Sequence, residues 1–112
     1  MSFSNSQTTP ILEKIVSIIV SVVSPDRVIL FGSYARGDHT DKSDIDILIL
    51  KKGLTKQREL LNTIDKAFWE NNIGKAVDLL ALDIDKYDDL TATIGYIYKR
   101  INEEGICLYE KL

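Results

Sequence analysis

Between Asp44 and Leu50 the chain reads Asp-Ile-Asp-Ile-Leu-Ile-Leu, and this order constrains the fold more than any other stretch. Successive side chains of an extended strand point to opposite faces. Ile45, Ile47 and Ile49 therefore share one face, while Asp44, Asp46, Leu48 and Leu50 share the other. The second face opens on two acids and continues as two leucines. Such a strand belongs in a sheet covered by helices, with its acidic start at the sheet edge.

The flanking patterns supply the rest of that sheet. Thr9 can cap a helix with Pro10 in its first turn and Glu13 close behind, and Ile11, Ile15, Ile18, Ile19 and Val22 recur at helical spacing to about Val23. Ser24-Pro25-Asp26 stops it. Val28 to Phe31 is too short for a helix and is bounded by Gly32, as a buried strand would be. From Gly32 to Ser43 the chain reads as a loop with one helical turn. After Lys51-Lys52-Gly53, the residues Leu54, Leu61, Ile64 and Phe68 mark an amphipathic helix that ends near Asn71 to Gly74. Ala76 to Leu82 is a third strand, with Asp78, Leu80 and Leu82 on one face. Strand, crossover helix and strand make a parallel pair, which brings the starts of both strands, and their acids, to one edge. Leu90, Ile94, Ile97 and Ile101 predict a last helix that Gly105 terminates, and Ile106 to Tyr109 a short edge strand. The expected architecture is α/β, a small mixed sheet covered by helices, in one domain over residues 1–112.

Composition narrows the function. With 112 residues, 45% of them hydrophobic, the chain can bury one core but not two. A net charge of -3 argues against a general binder of nucleic-acid backbones, so a protein partner or a small ligand is expected. Ile15 to Val23 and Val77 to Leu82 fall short of membrane-spanning length. Met1 to Thr9 lacks the basic and apolar regions of a signal peptide, which predicts a cytoplasmic protein. Cys107 has no cysteine partner and reads as a structural thiol.

The chemistry lies in Gly32-Ser33, ten intervening residues, and Asp44-Ile45-Asp46. A glycine after a strand lets backbone approach phosphate closely, and the Ser33 hydroxyl with nearby amides can hold terminal phosphates. Two aspartates at i and i+2 of a strand point the same way and can share a hard, oxygen-liganded ion such as magnesium. If Asp78 reaches the same edge, three carboxylates can hold two ions about 3.5 to 4 Å apart, the arrangement that stabilises the attacking and leaving oxygens of a phosphoryl transfer. Asp78 would stand nearest the incoming nucleophile, as metal ligand and proton acceptor.

This segment resembles the signature of the DNA polymerase beta-like nucleotidyltransferase superfamily, in its minimal nucleotidyltransferase branch. Gly32, Ser33, Asp44, Asp46 and Asp78 match the family's Gly-Ser, Asp-x-Asp and third acid one by one. Arg36-Gly37 and Ser43 match the branch's fuller Gly-Ser-x-Ala-Arg-Gly and Ser-Asp-x-Asp forms. The resemblance covers nearly the whole chain and implies a polymerase beta-like palm, with Asp44, Asp46 and Asp78 as catalytic metal ligands for Mg2+ and Gly32, Ser33 and Arg36 binding ATP. It implies transfer of AMP to an acceptor hydroxyl, a tyrosine of a HEPN-domain ribonuclease toxin, by an antitoxin that pairs with that toxin. The alternative is a non-catalytic antitoxin that neutralises by contact alone.

Other polar residues have plainer readings. Asp83 and Asp85 repeat the Asp-x-Asp spacing but follow the third strand, where helix capping is expected. Arg36 can clamp phosphate or pair with Asp38 or Asp41. His39 reads as a solvated imidazole in a polar loop. Trp69 with Phe68 reads as core or partner surface, and Tyr96 with Tyr98 as positions around the last helix.

Overall fold

The computed structural model describes residues 10–92 and 96–111. Its elements run α1 (Pro10–Val23), β1 (Arg27–Phe31), α2 (Ser33–Arg36), β2 (Ile45–Leu50), α3 (Gln57–Glu70), β3 (Val77–Leu82), α4 (Ile84–Ala92), α5 (Tyr96–Glu104) and β4 (Ile106–Glu110). The strands form one mixed sheet in the order β3-β2-β1-β4, with β1 antiparallel to both β2 and β4 and β2 parallel to β3. The α/β architecture with a small mixed sheet is the one the strand patterns predict.

The alternation in β2 decides which helices cover which face. Ile45, Ile47 and Ile49 are fully buried with Val28 and Leu30 of β1, under Leu12, Ile15, Val16 and Ile19 of α1 and Leu60, Ile64, Ala67 and Phe68 of α3. Leu48, Leu50 and Ile29 point the other way and are buried under Tyr87 of α4 and Ile101 of α5. Each face thus has its own apolar layer.

Several boundaries differ from the sequence reading. The expected cap Thr9 lies outside the described residues. Val22, expected on the core stripe of α1, is 39% exposed in the last turn, while Val16 is buried in its place. Leu54 packs against the core from the turn before α3 rather than from the helix, its amide bonded to the Lys51 carbonyl at 3.2 Å.

The largest departure is at the C-terminal helix, which is two helices. Tyr87 and Tyr98 meet edge to face with ring centroids 6.3 Å apart, and the Tyr87 hydroxyl donates to Asn102 Oδ1 at 3.4 Å. Eleven residues along one straight helix would span roughly 16 Å. So α4 and α5 fold against each other, and the spacing of Leu90 and Ile101 joins two separate stripes. Ile94 lies outside the described residues, as do the side chains of Tyr96 and Ile97. Asp83 opens α4 as the capping reading predicts: its Oδ1 accepts the amides of Asp85 at 3.4 Å and Gly53 at 3.1 Å.

At the other end of α5, Gly105 has no room for a side chain. A Cβ there would strike the Ile101 carbonyl and lie 2.7 Å from Ile29 Cγ2. Glycine thus lets α5 turn directly into β4 against the sheet.

Candidate active site

The parallel register of β2 and β3 places Asp46 beside Asp78, and the antiparallel register of β1 places Phe31 on its other side. Asp44 precedes β2 by one residue. All three acids lie in phase with Leu48, Leu50, Leu80 and Leu82, on the face that α4 and α5 cover further along. Asp44 and Asp78 are exposed, and Asp46 is half-buried.

No described side chain donates a hydrogen bond or ion pair to any of the three carboxylates. Burial pushes the Asp46 carboxyl above its ordinary pKa, Asp78 and then Asp44 add to the rise, and Arg36 opposes it. The four groups therefore share one electrostatic field. Among the described residues no cluster of three acidic, histidine or cysteine side chains is close enough to hold an ion unaided. The donor set nonetheless suits a hard divalent cation, since three hard-oxygen carboxylates, offset only at a distance by Arg36, repel one another at one sheet edge. A cation would relieve that repulsion.

Gly32 comes to the same place from β1. Its φ is 73°, a conformation most side chains avoid, and a Cβ would collide with Asp46 Oδ2 and stand 3.1 Å from its Cγ. The glycine of Gly-Ser and the second acid of Asp-x-Asp, distant in sequence, are in contact. Ser33 starts the single turn α2, whose Ala35 and Arg36 amides each bond the Gly32 carbonyl at 3.1 Å. Gly37 ends the turn in a left-handed conformation, its amide on the Ser33 carbonyl at 2.9 Å. The Ser33 hydroxyl has no partner among the described residues.

Ser43 shapes the approach to the acids. Its hydroxyl accepts the Thr40 amide at 2.9 Å, and its own amide bonds the Thr40 carbonyl at 3.0 Å. That closed turn delivers the chain to Asp44.

Beside Gly32 opens a cleft of about 410 Å³ lined by Phe31, Gly32, Arg36, Arg100, Ile101 and Glu104. Arg36 Nε donates to Asp38 Oδ2 at 3.2 Å, and its Nη1 lies 3.6 Å from Glu104 Oε2. Asp38 is thus the expected partner and Asp41 is not. The hydrogen bond and charge of Asp38, with a smaller part from Glu104, raise the Arg36 pKa against burial. Arg100 and Glu104 were not candidates in the sequence. They stand one turn apart on α5, a spacing common on any helix, and only the return of α5 to the β1 edge brings them here.

A second group missed in the sequence braces the loop. His39 is exposed, as a solvated imidazole would be, and in addition stacks on Tyr34 with centroids 3.9 Å apart. Lys75 Nζ stands 5.5 Å from the Tyr34 ring centre and donates to the Asp41 carbonyl at 2.9 Å. Phe68 and Trp69 divide: Phe68 is core, whereas Trp69 is 84% exposed. Cys107 is half-buried on β4, where burial raises its thiol pKa and its Sγ donates to the Tyr109 carbonyl at 3.3 Å.

Sheet topology, glycine turn and acidic edge are those expected of a nucleotidyltransferase palm. Residues 13–111 match the sequence profile of the family described as Polymerase beta, Nucleotidyltransferase, and the chain belongs to that family. It is 32% identical to a Methanocaldococcus jannaschii protein provisionally named a protein adenylyltransferase, over 90% of this chain and 94% of that one. Another M. jannaschii protein with the same provisional name is 62% identical over 34 residues, where the match covers 30% of this chain and only 34% of the relative. Among solved structures, a toxin-antitoxin crystallised with AMP-PNP shares the fold with a TM-score of 0.60 at 23% identity, over 88% of this chain and 73% of that one. Among the described residues no helix is long and apolar enough to cross a membrane.

Proposed function

We propose that this chain transfers AMP from ATP to an acceptor hydroxyl, a tyrosine of a HEPN-domain ribonuclease toxin, and so acts as a cytoplasmic antitoxin. One observation carries the proposal. Asp46 is flanked by Asp78 across the β2–β3 register and by Gly32 from β1, so three separate strands contribute to one point. The provisional name of the M. jannaschii relatives supports protein as the acceptor, and the AMP-PNP toxin-antitoxin neighbour supports a nucleotide and a toxin partner.

In this reading Asp44, Asp46 and Asp78 would hold magnesium, which neutralises the triphosphate and stabilises the oxygens entering and leaving phosphorus. Gly32 brings its backbone to the phosphates, and its missing side chain leaves the room that the Asp46 carboxylate occupies. The Ser33 hydroxyl donates to a phosphate oxygen, and Arg36 adds a cation on the far side. The acceptor oxygen attacks the α-phosphorus, the bond to the bridging oxygen breaks and pyrophosphate departs. The hydroxyl proton passes to Asp78, the exposed acid of the edge strand.

The test is transfer of label from α-labelled ATP to the toxin by wild type and by Asp46→Asn. Label on a toxin tyrosine with wild type alone supports the proposal. Neutralisation of the toxin by Asp46→Asn as fully as by wild type would favour the contact-only antitoxin.

A further inference from the structure

The cleft beside Gly32 holds a charge arrangement that the palm alone does not require. Glu104 presents one carboxylate oxygen to each of two arginines, Oε2 to Arg36 Nη1 at 3.6 Å and Oε1 to Arg100 Nε at 3.7 Å. Both separations exceed the roughly 2.7–2.9 Å of a charge-assisted hydrogen bond. The side chains are also accessible, 42% for Arg36, 67% for Arg100 and 35% for Glu104. Exposed pairs of this kind contribute little to folding and exchange readily. With the Asp38 carboxylate, which accepts from Arg36 Nε at 3.2 Å, they hold two guanidinium groups in place without locking them.

The surroundings indicate what could take the carboxylate's place. Gly32 contributes backbone without a side chain, and Arg36 reaches electrostatically to Asp46. Ile101, 3% exposed and packed under the sheet, anchors the turn of α5 that carries both Arg100 and Glu104. This is also the carbonyl end of α5, which repels anions unless cations offset it. A guanidinium receives a phosphate through the same paired donors it offers a carboxylate.

We propose that Arg100 is a second triphosphate-binding residue beside Arg36, and that Glu104 is an internal stand-in for the polyphosphate which bridges the two arginines, Arg36 being held by Asp38 as well, until ATP displaces it. The inference rests on the nucleotide reading above and adds α5 to it. Glu104 then sets the affinity: it preorganises the arginines but competes with the ligand for them.

Titration calorimetry in magnesium, with ATP, tripolyphosphate and AMP as probes, tests the assignment on the whole chain. Arg100→Gln is expected to weaken ATP and tripolyphosphate about tenfold, Arg100→Lys less, and Glu104→Gln to tighten both about threefold to tenfold. AMP should move less than twofold. Because Arg100→Lys and Glu104→Gln keep size and helix propensity, they carry the test if Arg100→Gln proves unstable in a melting curve. ATP affinity unchanged by the arginine variants, or weakened by Glu104→Gln, overturns the proposal while leaving the nucleotide reading intact. An equal loss for AMP shows that Arg100 reads the nucleoside, and also overturns it. A wild type that binds neither ATP nor tripolyphosphate overturns both readings.

Discussion

The carboxylate of Asp46 fills the space that a side chain at Gly32 would need. Replacing Gly32 therefore has two costs, a collision with the acid and a backbone held at a φ of 73°. Gly32→Ala is expected to destabilise the domain by about 1–3 kcal/mol and to abolish transfer. Adding Asp46→Ala should return part of the stability, because the collision disappears while the backbone strain remains. Denaturant melts of the single and double variants measure this. Strict additivity would mean that the two residues do not compete for the same space.

Asp46→Asn is expected to abolish transfer and raise the melting temperature by roughly 1–3 °C at neutral pH. The sign follows from the raised pKa of this carboxyl, caused first by burial and then by Asp78 and Asp44. An acid whose pKa is higher folded than unfolded destabilises the fold once it ionises. That cost is absent below the ordinary value of 3.8 and develops as pH rises through the folded value. The gap between variant and wild type should therefore be widest near neutrality and close by about pH 3, as melting curves across pH would reveal.

ATP binding should require magnesium or manganese, since three like charges at one edge otherwise repel the triphosphate. Calorimetry in EDTA checks this, and undiminished affinity there would count against a metal centre.

Asp78→Asn should separate binding from turnover. Asp44 and Asp46 remain to hold the nucleotide-bound ion, so metal-dependent ATP affinity should change little, whereas single-turnover transfer should fall by about a hundredfold or more. Transfer within a few-fold of wild type would remove Asp78 from the reaction and leave Gly32, Ser33, Asp44 and Asp46 as the site.

Lys75 ties the loop between Ser33 and Asp44 to the start of β3 through the Asp41 carbonyl and the Tyr34 ring. Lys75→Met should cost the fold only about 0.5–1 kcal/mol, the scale of one exposed cation–π contact. Its local effect should be larger. Hydrogen exchange at residues 38–43 is expected to speed up relative to β2, and equal protection in both proteins would mean that the loop holds itself.

How much of this could be read from the sequence depended on the range of the signal. Strand alternation is local, and so the shared face of Asp44, Asp46, Leu48 and Leu50 was legible, as was Asp78 in phase with Leu80. The parallel crossover then placed the acids at one edge without further information. The fold-back of α4 on α5 was not legible, because Leu90 and Ile101 fit one helical period across a break. Arg100 and Glu104 carry no signal in the sequence for the same reason: what they face depends on where α5 returns. The stack of His39 on Tyr34 and the reach of Lys75 likewise depend on side chains meeting across separate elements.

The position of β3 at the outer margin of the sheet has a kinetic consequence. Among the described residues only β2 flanks it, and Asp78 is exposed on that margin. The protein acceptor proposed above could therefore present its hydroxyl to Asp78 from that side. Turnover on such an acceptor would then depend on the lifetime of the encounter between two surfaces.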